Sequence, residues 1–215
     1  MDKPHLVIFD MDGLMFDTEC QYNAATLALM ERHGITVNMD ILFDAIGSSY
    51  FDVDRFLVHV PQGVDAKALL DSVPEAVTQA LCRDGVPVKK GLIRLLDLLR
   101  SQGIAMCVAT STPISRSGPL LKAAGVWDYF QFVITGRDVA HGKPAPDIFL
   151  AACQRAGVSP EQALVLEDSA NGAFASQKAG IPYIIVPDLK QPPKEAAESA
   201  LAVAKDLDMV ADMLI

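Results

Sequence analysis

The chain has 215 residues, 51% of them hydrophobic, with 18 basic against 27 acidic side chains and a formal net charge of −9. That is enough apolar material for one good core with room for a second small domain, and the negative balance repels polyphosphate backbones, so no nucleic-acid partner is expected. Cys20, Cys82, Cys107 and Cys153 are widely separated and form no CxxC pair, which suits reduced core thiols and not a disulfide framework.

Residues 6–9 are a short continuous apolar run, the pattern of a strand buried on both faces of a parallel sheet, and Gly13 breaks it. The run is too short for a signal segment or a membrane span, so a cytoplasmic protein without membrane contact is expected. From Asp17 to about Val86 the apolar spacing turns helical, first to a stop at Gly34, then around residues 51–58 and 66–81, with no convincing strand. After Gly91 a regular cycle begins. A helix over 92–101 ends at Gly103 before a strand over 104–109; a helix over 114–124 ends at Gly125 before a strand over 132–134. Helices over 146–156 and 169–179, stopped by Gly157 and Gly180, precede strands over 163–166 and 183–186. Gln191-Pro192-Pro193 then breaks the chain before an Ala- and Glu-rich helix and a last apolar helix from Leu207.

Strand and helix alternation predicts an α/β fold, a Rossmann-like parallel sheet flanked by helices with right-handed crossovers. A single strand followed by about seventy helical residues, before the alternation resumes, predicts an inserted α-helical cap over residues 17–86, with 1–16 and 87–215 forming the core. In such sheets ligands bind beyond the carboxyl ends of the strands, so the residues just past each strand are the ones to inspect.

They are polar. Asp10 and Asp12 follow the first strand, with Gly13 allowing a sharp turn. Two carboxylates facing one point raise each other's pKa unless a cation or a proton sits between them, and a hard metal ion is the simplest answer; an ordinary Asp/Gly turn is the alternative. Glu167 and Asp168 end another buried strand, where an N-cap alone would explain either Asp168 or Ser169 but not two consecutive acids. With Asp10 and Asp12 they form an oxygen-rich set suited to Mg2+. Thr110, Ser111 and Thr112 close a third strand, a hydroxyl cluster that could hold phosphate oxygens at a helix N-terminus; Thr110 is the favoured ligand, and Thr112 before Pro113 reads as an N-cap. Lys143, before Pro144, is a surface charge unless it points into the acidic cluster, where it would supply the positive charge that a phosphorylated aspartate requires.

Asp10-Met11-Asp12-Gly13, Thr110, Lys143 and Glu167-Asp168 resemble, in order and over the whole chain, the four motifs of the haloacid dehalogenase-like hydrolase superfamily. Phe16-Asp17-Thr18-Glu19, Gly142-Lys143-Pro144-Ala145-Pro146-Asp147 and Asp168-Ser169-Ala170-Asn171-Gly172 resemble the helical-cap subgroup that includes β-phosphoglucomutase and small sugar-phosphate phosphatases. The resemblance implies that Asp10 attacks phosphorus and becomes an aspartyl phosphate, while Asp12 protonates the leaving alcohol and then activates water. It implies Mg2+ held by the Asp10 carboxylate, the Asp12 carbonyl and Asp168, with Glu167 in or near the metal's surroundings. Thr110 and backbone N–H groups near Met11, Asp12 and Ser111 would hold phosphoryl oxygens, and Lys143 would balance the phospho-aspartate.

An acid two residues after the nucleophile suits an alkoxide leaving group, so phosphate esters are expected over carbon–halogen or carbon–phosphorus bonds. Lys67 is the one cap lysine that could act as a Schiff base, and it lies away from the loop expected to meet the core. A sugar phosphomutase is the nearer alternative. The expected specificity loop, with Gly47, Ser48, Ser49 and Tyr50, carries no base before Arg55, so it lacks an obvious clamp for a second phosphate and hydrolysis is favoured. A receiver-like phosphoacceptor, the non-enzymatic alternative, accommodates neither Asp12 nor the inserted block. The expected partner is a small phosphorylated metabolite, and the expected state is a monomer. Lys89-Lys90-Gly91 stands where a Pro-Gly hinge is common in the resembling proteins.

Overall fold

The computed structural model describes residues 3–45 and 51–215. Its centre is a six-stranded, all-parallel sheet in the order β5-β4-β1-β6-β7-β8, built from β1 (Leu6–Phe9), β4 (Ala105–Thr110), β5 (Val133–Thr135), β6 (Ala163–Glu167), β7 (Tyr183–Ile185) and β8 (Ala202–Val203). All four β1 residues are buried because alternate side chains feed two different cores. Val7 and Phe9 join a cluster with Leu95, Leu99, Leu121 and Val210, from α5 (Leu92–Ser101), α6 (Ile114–Ala123) and α10 (Leu207–Met213). Leu6 and Ile8 face Phe149, Cys153, Ala173 and Ala196, from α7 (Asp147–Ala156), α8 (Ala170–Ala179) and α9 (Lys194–Ser199). The result is the expected three-layer α/β core. The chain's four cysteines are free, and no helix among the described residues is long and apolar enough to cross a membrane.

Register positions the site. Phe9 pairs with Val108 on one side and Leu166 on the other, so Asp10, Ala109 and Glu167 follow side by side at the carboxyl edge. The Asp10 N–H donates to the Leu166 carbonyl at 3.0 Å, extending the ladder one residue past β1.

The block between β1 and α5 contains α1 (Thr18–Arg32), α2 (Met39–Ala45), a single turn α3 (Val53–Phe56) and α4 (Ala66–Asp84). It has a small core of its own around Met30, Ile41, Leu42 and Phe56, while α4 turns Val73, Val77 and Leu81 toward the main core. Asp65 caps α4 by accepting from the Ala68 N–H at 3.0 Å, and the helix runs through Pro74 to Gly85. Contrary to the all-helical expectation, β2 (Thr36–Val37) and β3 (Leu57–His59) form an antiparallel pair, and the helix expected over 51–58 shrinks to one turn feeding β3. β8, in the tail expected to be wholly helical, is the other unexpected strand. These strands are two or three residues long and half exposed, so their sequences carry no periodic signal and non-local pairing alone defines them.

Where the block leaves and rejoins the core, the two strands of chain run side by side. The Asp17 N–H donates to the Pro87 carbonyl and the Lys89 N–H to the Met15 carbonyl, each at 2.9 Å. Lys90 Nζ pairs with Asp206 at 2.7 Å, and the Leu207 N–H donates to the Lys90 carbonyl at 3.2 Å. Gly91, at φ +87°, packs so closely that a Cβ there would meet the Asp208 nitrogen at 2.1 Å. Where a stiff Pro-Gly is common, Lys90 and Gly91 are thus tied to the start of α10.

Candidate active site

Lys143 is the organising cation. Its Nζ donates to Asp10 Oδ1 and Glu167 Oε1, both at 2.5 Å, and to the Ala109 carbonyl at 3.1 Å. It also lies 4.9 Å from the Phe149 ring centroid. The side chain is 6% exposed, so the surface-charge reading of Lys143 is wrong: it points into the acidic cluster. Burial alone would lower its pKa, but Asp10 and Glu167 outweigh that and hold it above the usual lysine range.

Glu167 is the anchor for this lysine. Its Oε2 accepts from the Asp168 N–H at 3.0 Å, the Ser169 N–H at 3.0 Å and the Ser169 hydroxyl at 2.9 Å, while Oε1 holds Lys143. A fully buried carboxylate is tolerable only with such saturation. With both oxygens so engaged, Glu167 sits behind Lys143. Ser169 also caps α8, accepting from the Gly172 N–H at 3.1 Å. Gly172 is required because a Cβ there would fall 1.8 Å from the Glu167 carboxyl group.

Asp10 and Asp12 diverge into different environments. Asp10 is buried; desolvation, opposed by Lys143 and reinforced by Glu167, pushes its pKa up to about 8. Asp12 is half-buried and held by hydroxyls: Thr18 Oγ1 donates to Oδ1 at 2.6 Å and Thr112 Oγ1 to Oδ2 at 2.7 Å. Thr110 Oγ1 reaches Oδ2 only at 3.5 Å and accepts from the Thr112 N–H at 3.0 Å. Thr112 is therefore not the N-cap its sequence suggests: Pro113 occupies that position, and the Thr112 hydroxyl serves Asp12. Met11 is buried, its carbonyl accepting from the Met15 and Phe16 N–H groups at 2.9 and 3.2 Å, which closes the loop after β1. Ser111 is exposed beside Thr110, and the predicted specificity residues Gly47, Ser48, Ser49 and Tyr50 lie outside the described residues.

Asp168 completes the corner. Burial first, then Glu167 and Asp10, raise its pKa well above the carboxylate range. A Cβ on Gly13, at φ +84°, would come within 2.3 Å of Asp168 Oδ2, so only glycine lets the loop approach. Asp10, Glu167 and Asp168 are three buried carboxylates against one lysine, an imbalance that a divalent cation between Asp10 and Asp168 relieves. Among the described residues, no group of three or more His, Cys, Asp or Glu side chains converges as a metal cage. Asp10 and Asp168 are hard oxygen donors of the kind that Mg2+ takes, one or two carboxylates with water or phosphate in its other positions.

The sequence reading missed Thr18 and Thr112 as supports for Asp12, and Gly172 as the space for Glu167. Thr18 and Gly172 lie within motif runs that were visible, but nothing in spacing alone shows which neighbour a hydroxyl or a missing Cβ serves.

The sequence and the fold were compared with known proteins. A Drosophila melanogaster protein named as a probable pseudouridine-5′-phosphatase is 35% identical over 212 residues, covering 93% of this chain and 89% of that protein. The fructose-1-phosphate phosphatase YqaB of Escherichia coli is 31% identical over 183 residues, 84% of this chain and 95% of that protein. The crystal structure of CbbY from Rhodobacter sphaeroides in complex with phosphate superposes with a TM-score of 0.80 at 26% identity, covering 96% of each chain. The family model described as haloacid dehalogenase-like hydrolase matches residues 7–186. With motif order, sheet and comparison in agreement, the chain belongs to the haloacid dehalogenase-like hydrolase family.

Proposed function

We propose that this protein is a Mg2+-dependent phosphatase of small phosphate monoesters, sugar or polyol phosphates, working through an aspartyl phosphate on Asp10. The observation that carries the reading is the division of labour between two carboxylates two residues apart. Asp10 is buried against Lys143, whereas Asp12 is half-buried and fixed by the Thr18 and Thr112 hydroxyls. Two acids in such different surroundings suit a nucleophile and an acid/base partner.

In the first step Asp10 Oδ attacks phosphorus, the bond from phosphorus to the ester oxygen breaks, and Asp12 gives its proton to the departing alkoxide. In the second, water attacks the phosphorus of the acyl phosphate, Asp12 takes the water proton, and the bond to Asp10 breaks to release inorganic phosphate. Asp10, the Asp12 carbonyl and Asp168 would hold Mg2+, which would supply the charge neutralisation that lets an anionic nucleophile meet an anionic phosphate. Lys143, fixed by Glu167, balances the charge gathered at Asp10. Thr110, Ser111 and the Met11 backbone bind phosphoryl oxygens.

Residues 17–86 act as a cap over a core of 1–16 and 87–215, and the loop with Gly47, Ser48, Ser49 and Tyr50 selects the alcohol portion of the substrate. The names of the relatives support sugar phosphates as the class, and the reading includes a cytoplasmic monomer. The test is phosphate release from a panel of small phosphomonoesters, including fructose 1-phosphate, pseudouridine 5′-phosphate and β-glucose 1-phosphate with its bisphosphate, with Mg2+ and with chelator. Metal-dependent release is expected. Isomerised sugar without phosphate release would replace this reading with a mutase, and no turnover of any ester would refute it.

A further inference from the structure

Asp188, three residues beyond β7, is used by nothing in the chemistry above. Its side chain is 8% exposed. Oδ1 accepts a hydrogen bond from Lys89 Nζ at the junction with the helical block, and the same lysine lies 3.6 Å from Asp17 Oδ1. The other oxygen, Oδ2, is buried with no hydrogen-bond partner. A buried carboxylate oxygen without a donor is costly, so its retention calls for a donor that arrives from elsewhere.

Its position indicates which. Asp188 Oδ2 lies 3.3 Å from the point that a Cβ on Gly13 would occupy, and Asp168 Oδ2 lies 2.3 Å from that same point. The orphan oxygen therefore borders both the loop carrying Asp10 and Asp12 and the carboxylate that completes the metal corner. Beside it opens a cavity of about 260 Å³, with Glu19, Asp168, Asn171, Asp188 and Lys190 among its lining residues, roomy enough for several waters. Mg2+ gives up its water reluctantly and usually keeps several molecules, each a strong donor with no partner inside the ion's own shell.

We infer that Asp188 is a positioning residue for the divalent cation: its free oxygen accepts a hydrogen bond from a water carried by the ion bound at Asp10 and Asp168. Its other oxygen accepts from Lys89 at the junction of the inserted block. The inference rests on the Mg2+ reading of the site.

The experiment is titration of the metal-free protein with Mn2+ alone, following free Mn2+ by electron paramagnetic resonance, in the wild type, Asp188→Asn and Lys89→Met. Thermal melts check folding, and Asp188→Ser replaces the first variant should it fail to fold. Asp188→Asn keeps the size and an acceptor for Lys89 but loses the carboxylate charge, and is expected to weaken Mn2+ binding about 10- to 100-fold. Lys89→Met removes the lysine and keeps the carboxylate, and is expected to bind Mn2+ as tightly as the wild type or more so. Wild-type affinity in Asp188→Asn, or an equal loss in Lys89→Met, would overturn the role of Asp188 while leaving the metal site standing. A wild type that binds no Mn2+ would remove the metal reading itself, and this inference with it.

Discussion

At the carboxyl edge of the sheet, Lys143 and Glu167 are buried charges, and Glu167 alone accepts four hydrogen bonds. In the inserted block the imbalance is reversed: Met39, Phe43 and Val58 are large apolar side chains left open to solvent, and the pairing of β2 with β3 involves five residues in all. The edge spends hydrogen bonds to hold charge where water cannot reach it. The block keeps a small core and an adaptable surface. The edge cannot rearrange without exposing an unpaired charge, whereas the block can vary its surface at little cost.

Substitutions can break this contrast in order of size. Asp10→Asn should abolish phosphate release, by on the order of 10⁴-fold or more, with an unchanged circular dichroism spectrum; measurable turnover by the purified variant would remove Asp10 as nucleophile. Lys143→Met leaves Asp10 and Glu167 buried without their cation, and a loss of roughly 3–5 kcal/mol in urea unfolding is expected. A loss below about 1 kcal/mol would show that the buried charges are less committed than their geometry indicates.

A pH series sharpens the same point. Asp10 is raised from 3.8 to about 8 and Asp168 moves in the same direction, so the folded metal-free protein binds more protons than the unfolded chain between those values. Stability contributed by these groups is full at low pH and is lost as pH rises toward about 8, with a slope on the order of 1 kcal/mol per pH unit. Mg2+ bound by these carboxylates would displace those protons, so the rise in melting temperature that it produces should grow from pH 5 to pH 8. A rise independent of pH would contradict the raised carboxylates.

Gly172→Ala should cost about 1–3 kcal/mol, far more than its position in a helix would suggest, because the added methyl must displace the Glu167 carboxylate. Equal or greater stability, which helix propensity alone predicts, would mean that Glu167 is free to move. Phe43→Ala marks the other extreme. Its ring is 57% exposed and meets the core through Lys190 Nζ at 5.0 Å, so a loss of no more than about 1 kcal/mol is expected from the same unfolding experiment.

The sequence by itself determined the α/β alternation, because glycine-stopped helices and short apolar strands are local patterns, and it placed Asp10, Asp12, Thr110, Lys143, Glu167 and Asp168 at strand ends and loops that such a sheet brings to one edge. Tertiary structure decided what these residues do to one another. Lys143 could be read as a surface lysine until Phe9 paired with Leu166 and set Glu167 beside Asp10. Thr112 could be read as a helix cap until its hydroxyl met Asp12 across a separation of 100 residues. β2, β3 and β8 are too short to announce themselves, since a two- or three-residue strand is defined by its partner and not by its own period. Asp188 carries no motif at all. Its meaning comes from where its second oxygen ends, and a buried oxygen without a donor exists only once the chain has folded around it.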